Sequence, residues 1–148
     1  MTEKEMWNLY TKNNDVKNKT YEAWCFGGDA SSANKLANLV LKGIKTATAS
    51  AYKLYEIEKS PLPSAGELSI ILDCDNNAVC ITKTTKVYTC PFKEVSRNHA
   101  FKEGEGDLSL AYWRKVHKDF FSKELKEYNL EFDENMLIVC EEFEVVYK

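Results

Sequence analysis

The sequence predicts an α+β domain, built on a mostly antiparallel sheet or small β-barrel with helices packed around it. Three observations predict this class. Glu67–Cys74 and Val79–Cys90 are two apolar, β-branched runs joined by Asp75-Asn76-Asn77, a hairpin turn of residues that tolerate positive φ. Leu110, Trp113, Val116, His117, Phe120 and Phe121 recur three or four apart, as on one face of a helix. Helical and strand patterns are interspersed, yet the clear strand pair is a hairpin. That combination argues against a doubly wound parallel sheet.

Met6–Tyr10 and Val16–Trp24 read as short helices joined by Asn13-Asn14-Asp15, with Asp15 placed to cap the second. Residues 1–24 are thus expected to be an N-terminal helical extension of a single domain spanning 1–148. Gly27-Gly28-Asp29 reads as a turn. The next helix runs from about Ser32 to Lys42, with Leu36, Leu39 and Val40 on one face. Ser31 or Ser32 is its expected N-cap, and Gly43 stands where it should stop.

Ala47–Tyr55 fits a strand or an extended loop. Ser60–Gly66 carries two prolines and reads as a surface loop. Pro91 ends the return strand, and Phe92–Phe101 reads as a short helix. Glu103-Gly104-Glu105-Gly106-Asp107 is an acidic bend, with Asp107 placed to cap the helix that follows. Met136–Tyr147 is the last strand.

At 148 residues the chain is long enough for one core. Its 44% hydrophobic and 29% charged residues are ordinary for a globular protein, and 12% aromatics exceed what disorder would carry. A net charge of -3 argues against gripping long nucleic acid by charge alone, but leaves room for a local basic cleft or a small nucleoside. The N-terminus lacks an apolar core of signal-peptide length, and no run approaches a membrane span. A cytoplasmic location is the expectation. The five cysteines include no C-x-x-C pair, and only His99 and His117 could join them as ligands. No metal site and no cofactor is expected. Cys74, Cys80 and Cys140, in or beside apolar runs, read as reduced core thiols.

The chemistry-bearing stretch is Gly43-Ile44-Lys45-Thr46-Ala47-Thr48-Ala49-Ser50, an amine and several hydroxyls directly after a helix stop. A lysine beside a hydroxyl can serve as its base if burial lowers its proton affinity. The plainer reading makes Lys45 a favourable cation at a helix C-terminus and the threonines strand residues. The acidic bend also carries two readings. Glu103, Glu105 and Asp107 could hold a metal, supply an acid or base, or pair with Lys45; they could equally be a solvated turn. Gly104 and Gly106 suggest backbone lying close to something. His117 sits on the apolar stripe as a core-edge residue, and His99 could cap carbonyls. Tyr112, Trp113 and Arg114 could stack on a base, although Trp113 also fits the core. There is no G-x-G-x-x-G and no Walker sequence.

Four segments together resemble the ASCH-domain family, of the small bacterial stand-alone type. They are Leu36–Thr48; Pro63-Ser64-Ala65-Gly66-Glu67; the acidic bend with Tyr112-Trp113-Arg114 and His117; and Val139–Tyr147. The resemblance implies a PUA-like β-barrel with outer helices and a cleft. It implies a modified nucleoside or single-stranded RNA as ligand. One branch of the family hydrolyses N4-acetylcytidine, and other members are ribonucleases. The residues carried over as catalytic are Lys45, Thr48 and either Glu103 or Glu105; His99-Ala100 precedes Glu103 at the spacing that branch shows. Thr46, Ser50, Asp107, Tyr112 and Arg114 are expected to bind ligand. The arginine that follows the threonine in the minimal amidohydrolases is replaced here by Ala49-Ser50-Ala51.

Three functions follow as expectations. The first is an amidohydrolase in which Thr48 attacks an acyl carbonyl, Lys45 takes its proton, and an acid positions the base or protonates the leaving amine. The second is an RNA-binding module or ribonuclease that uses the same cleft, with Arg114, Lys115 and Lys118 contacting the strand. The third is a non-catalytic domain that binds a nucleotide-like ligand or a partner.

Overall fold

The computed structural model describes residues 1–17 and 20–148. Its elements, in chain order, are α1 (Glu3–Asn13), β1 (Glu22–Trp24), α2 (Ala30–Leu41), β2 (Ala47–Ala51), α3 (Tyr52–Glu58), β3 (Leu68–Leu72), β4 (Ala78–Pro91), a 3₁₀ turn (Phe92–Glu94), α4 (Arg97–Glu103), α5 (Leu110–Lys126) and β5 (Leu137–Tyr147). The strands form one sheet in the order β1-β3-β4-β5-β2. All pairings are antiparallel except β1 with β3, which is parallel. The expected α+β class and the hairpin are present. The expected barrel is approximate: the sheet curls into a half-barrel, and its edges β1 and β2 do not pair among the described residues. Register shifts in β4 at Ile81/Thr82 and Thr84/Lys86 add to the curl, because a bulge bends and twists its strand.

Alternation along the strands assigns each face of the sheet its packing partner. Leu68, Ile70 and Leu72 of β3 pack with Met6 and Tyr10 of α1. Ile71, Cys80 and Phe143 point the other way, onto Phe26 and onto Ala37 and Val40 of α2. A third cluster joins Ala51, Ile138 and Cys140 to Phe92, Trp113 and Phe121, so α5 covers the β2 end.

Several local expectations need correction. The helix expected over Val16–Trp24 includes Asn18 and Lys19, which lie outside the described residues; its last part, Glu22–Trp24, is a strand. That segment supplies the parallel partner for Ser69–Ile71, and Trp24 packs edge-on against Phe26 with ring centroids 4.8 Å apart. Asp29 caps α2, accepting from the Ser32 amide at 2.7 Å, where Ser31 or Ser32 was expected. Ser109 caps α5. Asp107 instead accepts from the Ser109 amide at 2.9 Å and so braces the true cap. The segment expected as one helix over Phe92–Phe101 is a 3₁₀ turn followed by α4, because Ser96 begins a new cap. The strand option over Ala47–Tyr55 holds only to Ala51; α3 follows, with Leu54 packed on the α5 cluster.

Candidate active site

Gly43 does stop α2. It has φ 75°, its amide donates to Val40 O, and the Ile44 amide donates to Leu39 O, a Schellman closure. The chain then alternates. Ile44 is exposed, Lys45 is 2% exposed and Ala47 is fully buried. Two clamps hold this alternation. The Thr46 amide donates to Lys102 O at 2.7 Å, and Phe143 donates to Thr46 O at 3.0 Å. Gly104 lies against Ile44; a Cβ there would sit 2.5 Å from the Ile44 carbonyl oxygen, and its φ is 71°. Only glycine fits both demands, so the acidic bend can be pressed onto the Lys45 segment. The close neighbour of Gly104 is therefore the chain's own backbone, and that of Gly106 is the Tyr112 ring.

The Lys45 side chain runs inward to four oxygens. Its Nζ lies 2.9 Å from Ala47 O, 3.4 Å from Glu103 O, 3.1 Å from Glu103 Oε1 and 3.1 Å from Glu105 Oε2. It also sits 5.3 Å from the Phe26 ring centroid. Glu103 is the hub. His99 Nε2 lies 2.8 Å from its Oε2, the Trp113 indole donates to the same oxygen, and His117 Nε2 lies 3.4 Å from Oε1. His117 Nδ1 donates to Trp113 O at 2.9 Å, and its ring stacks on the indole with centroids 4.2 Å apart. Burial by itself would raise the Glu103 carboxyl. The Lys45 charge and the His117 and His99 hydrogen bonds outweigh it and hold the group well below the usual carboxylate range. For His117, burial favours the neutral ring, but the hydrogen bond and charge of Glu103 prevail and raise its proton affinity.

This cluster forms one wall of a cleft of about 830 Å³. The sheet is its floor, α5, α3 and the Ser60–Pro63 loop are its rim, and residues of both edge strands reach into it. Thr48 and Ser50 of β2 line it together with Lys45, Glu103 and Glu105, and the Ser50 hydroxyl is 2.8 Å from Tyr55 OH. Four expected ligand-binding residues do not line it. Thr46 ties the last turn of α4 to β5, Asp107 is exposed at the α5 cap, and Tyr112 covers Gly106. Arg114 donates to Lys93 O and Val95 O, away from the cleft. Six glutamates line the cleft (Glu22, Glu67, Glu103, Glu105, Glu124 and Glu141), against one lysine.

The sequence offers His117 as a core-edge residue, His99 as a carbonyl cap that precedes Glu103 at the family spacing, and Trp113 as core or as a stacking ring; the structure makes all three the donors that encase Glu103. The spacing was visible, since His99 and Glu103 are four apart on α4, and Trp113 and His117 four apart on α5. Ligand atoms of Glu103, Glu105 and His117 come within 4.8 Å of one another, a spacing that could hold a cation. Lys45 Nζ stands 3.1 Å from both carboxylates, so a metal ion would have to compete with that ammonium.

The family model for the ASCH domain matches residues 22–147. The chain belongs to the ASCH-domain family. Among solved structures, this ASCH domain is similar to the ASCH domain from Lactobacillus crispatus JV V101, at 36% identity and TM-score 0.94, over 98% of this chain and 94% of that one. It is also similar to protein EF3133 from Enterococcus faecalis V583, described as DUF984, at 37% identity and TM-score 0.91, over 97% of this chain and 87% of that one. The hypothetical protein PH0355 shares the fold alone, at 16% identity and TM-score 0.50, over 76% of this chain and 92% of that one. No curated protein matches the chain. No helix among the described residues is long and apolar enough to cross a membrane.

Proposed function

We propose that this ASCH domain is a small-molecule amidohydrolase that removes an acyl group from a modified nucleoside of the N4-acetylcytidine kind. The observation that carries the reading is the meeting of Lys45, Thr48, Glu103 and Glu105 in one cleft, although these residues lie up to 60 positions apart. The cleft volume suits a small ligand. Trp24, Phe26, Tyr55 and Phe120 give it aromatic walls on which a base could stack. Thr48 is the nucleophile that attacks the acyl carbonyl. Lys45 takes a different part from the one its sequence position suggested. A nitrogen ringed by four acceptors has its three N–H groups already engaged, so it acts through its positive charge on the negative charge that develops on the carbonyl oxygen. Glu103 and its three ring donors fix that cation in place.

The charge of the lining favours a nucleoside over an RNA strand. A strand in the cleft would set its phosphates against six carboxylates. Of Arg114, Lys115 and Lys118, the basic residues expected to grip RNA, none lines the cleft; Arg114 is engaged with Lys93 O, and Lys118 lies over the Phe132 ring at 5.8 Å.

The test is release of cytidine and acetate from N4-acetylcytidine, followed by chromatography. Turnover by wild type, with a loss of at least about 100-fold in Thr48→Ala and in Lys45→Met, is the expected result, because oxyanion stabilisation and nucleophilic catalysis are each of that order. No turnover by wild type, or full turnover by a folded Lys45→Met protein, would overturn the reading. Affinity for single-stranded RNA that weakens as salt rises, with no hydrolysis, would point to the binding module instead.

A further inference from the structure

The hydrolase reading leaves Thr48 without a group to take its proton. Lys45 is committed to four oxygens, and Glu103 accepts from Lys45, His99, Trp113 and His117. Glu105 is bound to Lys45. Glu141 is placed differently. In the antiparallel β2–β5 pair it stands directly opposite Thr48, and both residues line the cleft. Directly opposed residues share a face of the sheet with Cβ atoms roughly 4.5–5.5 Å apart; no hydrogen bond joins the two side chains in the resting structure, and a rotation about the Glu141 side chain, or one bridging water, would bring its carboxylate to the threonine hydroxyl. The carboxylate is steered from the other side, where Thr84 Oγ1 on β4 donates to Glu141 Oε2 at 3.0 Å. The second oxygen has no partner among the described residues and is left for Thr48.

We propose that Glu141 is the general base that activates Thr48, with Lys45 serving as the cation of the oxyanion site. This rests on the hydrolase reading of the cleft. Glu141 takes the Thr48 hydroxyl proton as Oγ1 bonds to the acyl carbon. The tetrahedral species collapses with cleavage of the carbon–nitrogen bond, and the Glu141 carboxylic acid returns that proton to the leaving amine. Water then attacks the threonine ester and gives a proton to Glu141, which passes it to Thr48 Oγ1 as the acid leaves. No oxidant or second substrate besides water is needed.

The surroundings suit the role. Burial raises the Glu141 carboxyl above its ordinary value, the Thr84 hydrogen bond opposes this, and the charges of Glu67 and Glu22 raise it further. The groups facing it are those two acids from the β3 and β1 side and Tyr55 from α3. A carboxylate of raised proton affinity is a stronger base toward a hydroxyl.

The experiment uses p-nitrophenyl acetate, an activated ester that needs no nucleoside recognition, and reads acetyl-Thr48 by peptide mass across pH. Wild type is expected to acetylate Thr48 with a rate that climbs through an inflection above the ordinary glutamate value of 4.5. Glu141→Gln should be at least about 100-fold slower and lack that inflection, as general-base losses of 10²–10⁴ imply. Glu141→Asp should keep an inflection at reduced rate, and Glu144→Gln, exposed on the same strand, should match wild type. An unlabelled Thr48 in wild type, or a folded Glu141→Gln protein with the wild-type rate and profile, would overturn the assignment. Labelling that depends on Glu141, without turnover of N4-acetylcytidine, would keep the base and discard only the proposed substrate. Turnover of N4-acetylcytidine that Glu141→Gln leaves unchanged would do the reverse.

Discussion

Replacing Glu103 with glutamine removes the charge at the hub of the cluster while keeping its shape. Both oxygens of Glu103 accept: Oε1 faces Lys45 and His117, and Oε2 faces His99 and Trp113. Wherever the amide NH2 of a glutamine is placed, it meets donors. Lys45, with its side chain only 1% exposed, also loses its most deeply buried counter-ion. Removing one partner of a buried pair costs about 3–5 kcal/mol. Glu105 and Ala47 O stay with the ammonium, which keeps that loss near the low end, and the misplaced amide adds about 1 kcal/mol or more. The sum is about 4 kcal/mol, or a melting temperature lower by about 8–16 °C for a chain of this size. Thermal unfolding by circular dichroism at pH 7 measures it. Glu105→Gln, with one ion pair and a side chain 19% exposed, should cost only about 1 kcal/mol. Glu103 is held well below its ordinary value of 4.5, so its folded proton affinity is lower than its unfolded one. Its contribution is therefore present above about pH 4.5 and lost as pH falls through the folded value. The difference from wild type should persist at pH 5.5 and close only under more acid conditions. A Glu103→Gln protein within 1 kcal/mol of wild type, or no less stable than Glu105→Gln, would refute the hub assignment.

Trp113→Phe keeps a ring beside His117 but removes the indole donor to Glu103; a loss of about 2 kcal/mol is expected in denaturant titrations, and an unchanged midpoint would show that the hydrogen bond contributes nothing net. His117 should titrate above its ordinary 6.5 by NMR, with its stabilising contribution complete below about pH 6.5 and lost as pH rises through the folded value; Glu103→Gln should lower the midpoint, and a wild-type midpoint at or below 6.5 contradicts the pairing. Gly104→Ala should destabilise by more than about 2 kcal/mol, because it combines a left-handed residue with a Cβ 2.5 Å from the Ile44 oxygen; wild-type stability would mean the bend is not pressed onto the Lys45 segment.

The sequence made some of this site legible and hid the rest for identifiable reasons. Gly43 as a helix stop, and a lysine with hydroxyls directly after it, are local facts, and the Schellman closure of α2 is local too. The acidic bend could be read as a partner for Lys45, and it is one. Which acid dominates could not be read, because Glu103 and Glu105 differ in burial and not in chemistry. Thr46, Asp107, Tyr112 and Arg114 share the right neighbourhood in sequence, yet Thr46 bonds Lys102 O, Asp107 braces the α5 cap, Tyr112 covers Gly106 and Arg114 holds loop carbonyls. The β1 segment reads as helix in the sequence because its three residues are extended only by pairing with β3 residues 47 positions away (22 to 69, 23 to 70 and 24 to 71).

By itself, then, the chain determined its class, its hairpin, its principal helices and its family, since these rest on periodicity, turn residues and contiguous motifs. The tertiary structure alone decided that β2 lies beside β5, which sets Thr48 opposite Glu141. It alone brought His99, Trp113 and His117 around one carboxylate and lined the cleft with acids from every quarter of the chain. The reason is physical. Helix stops and hairpins are fixed by the dihedral preferences of neighbouring residues, whereas the proton affinity and reach of a buried side chain are set by whatever distant groups the fold packs against it.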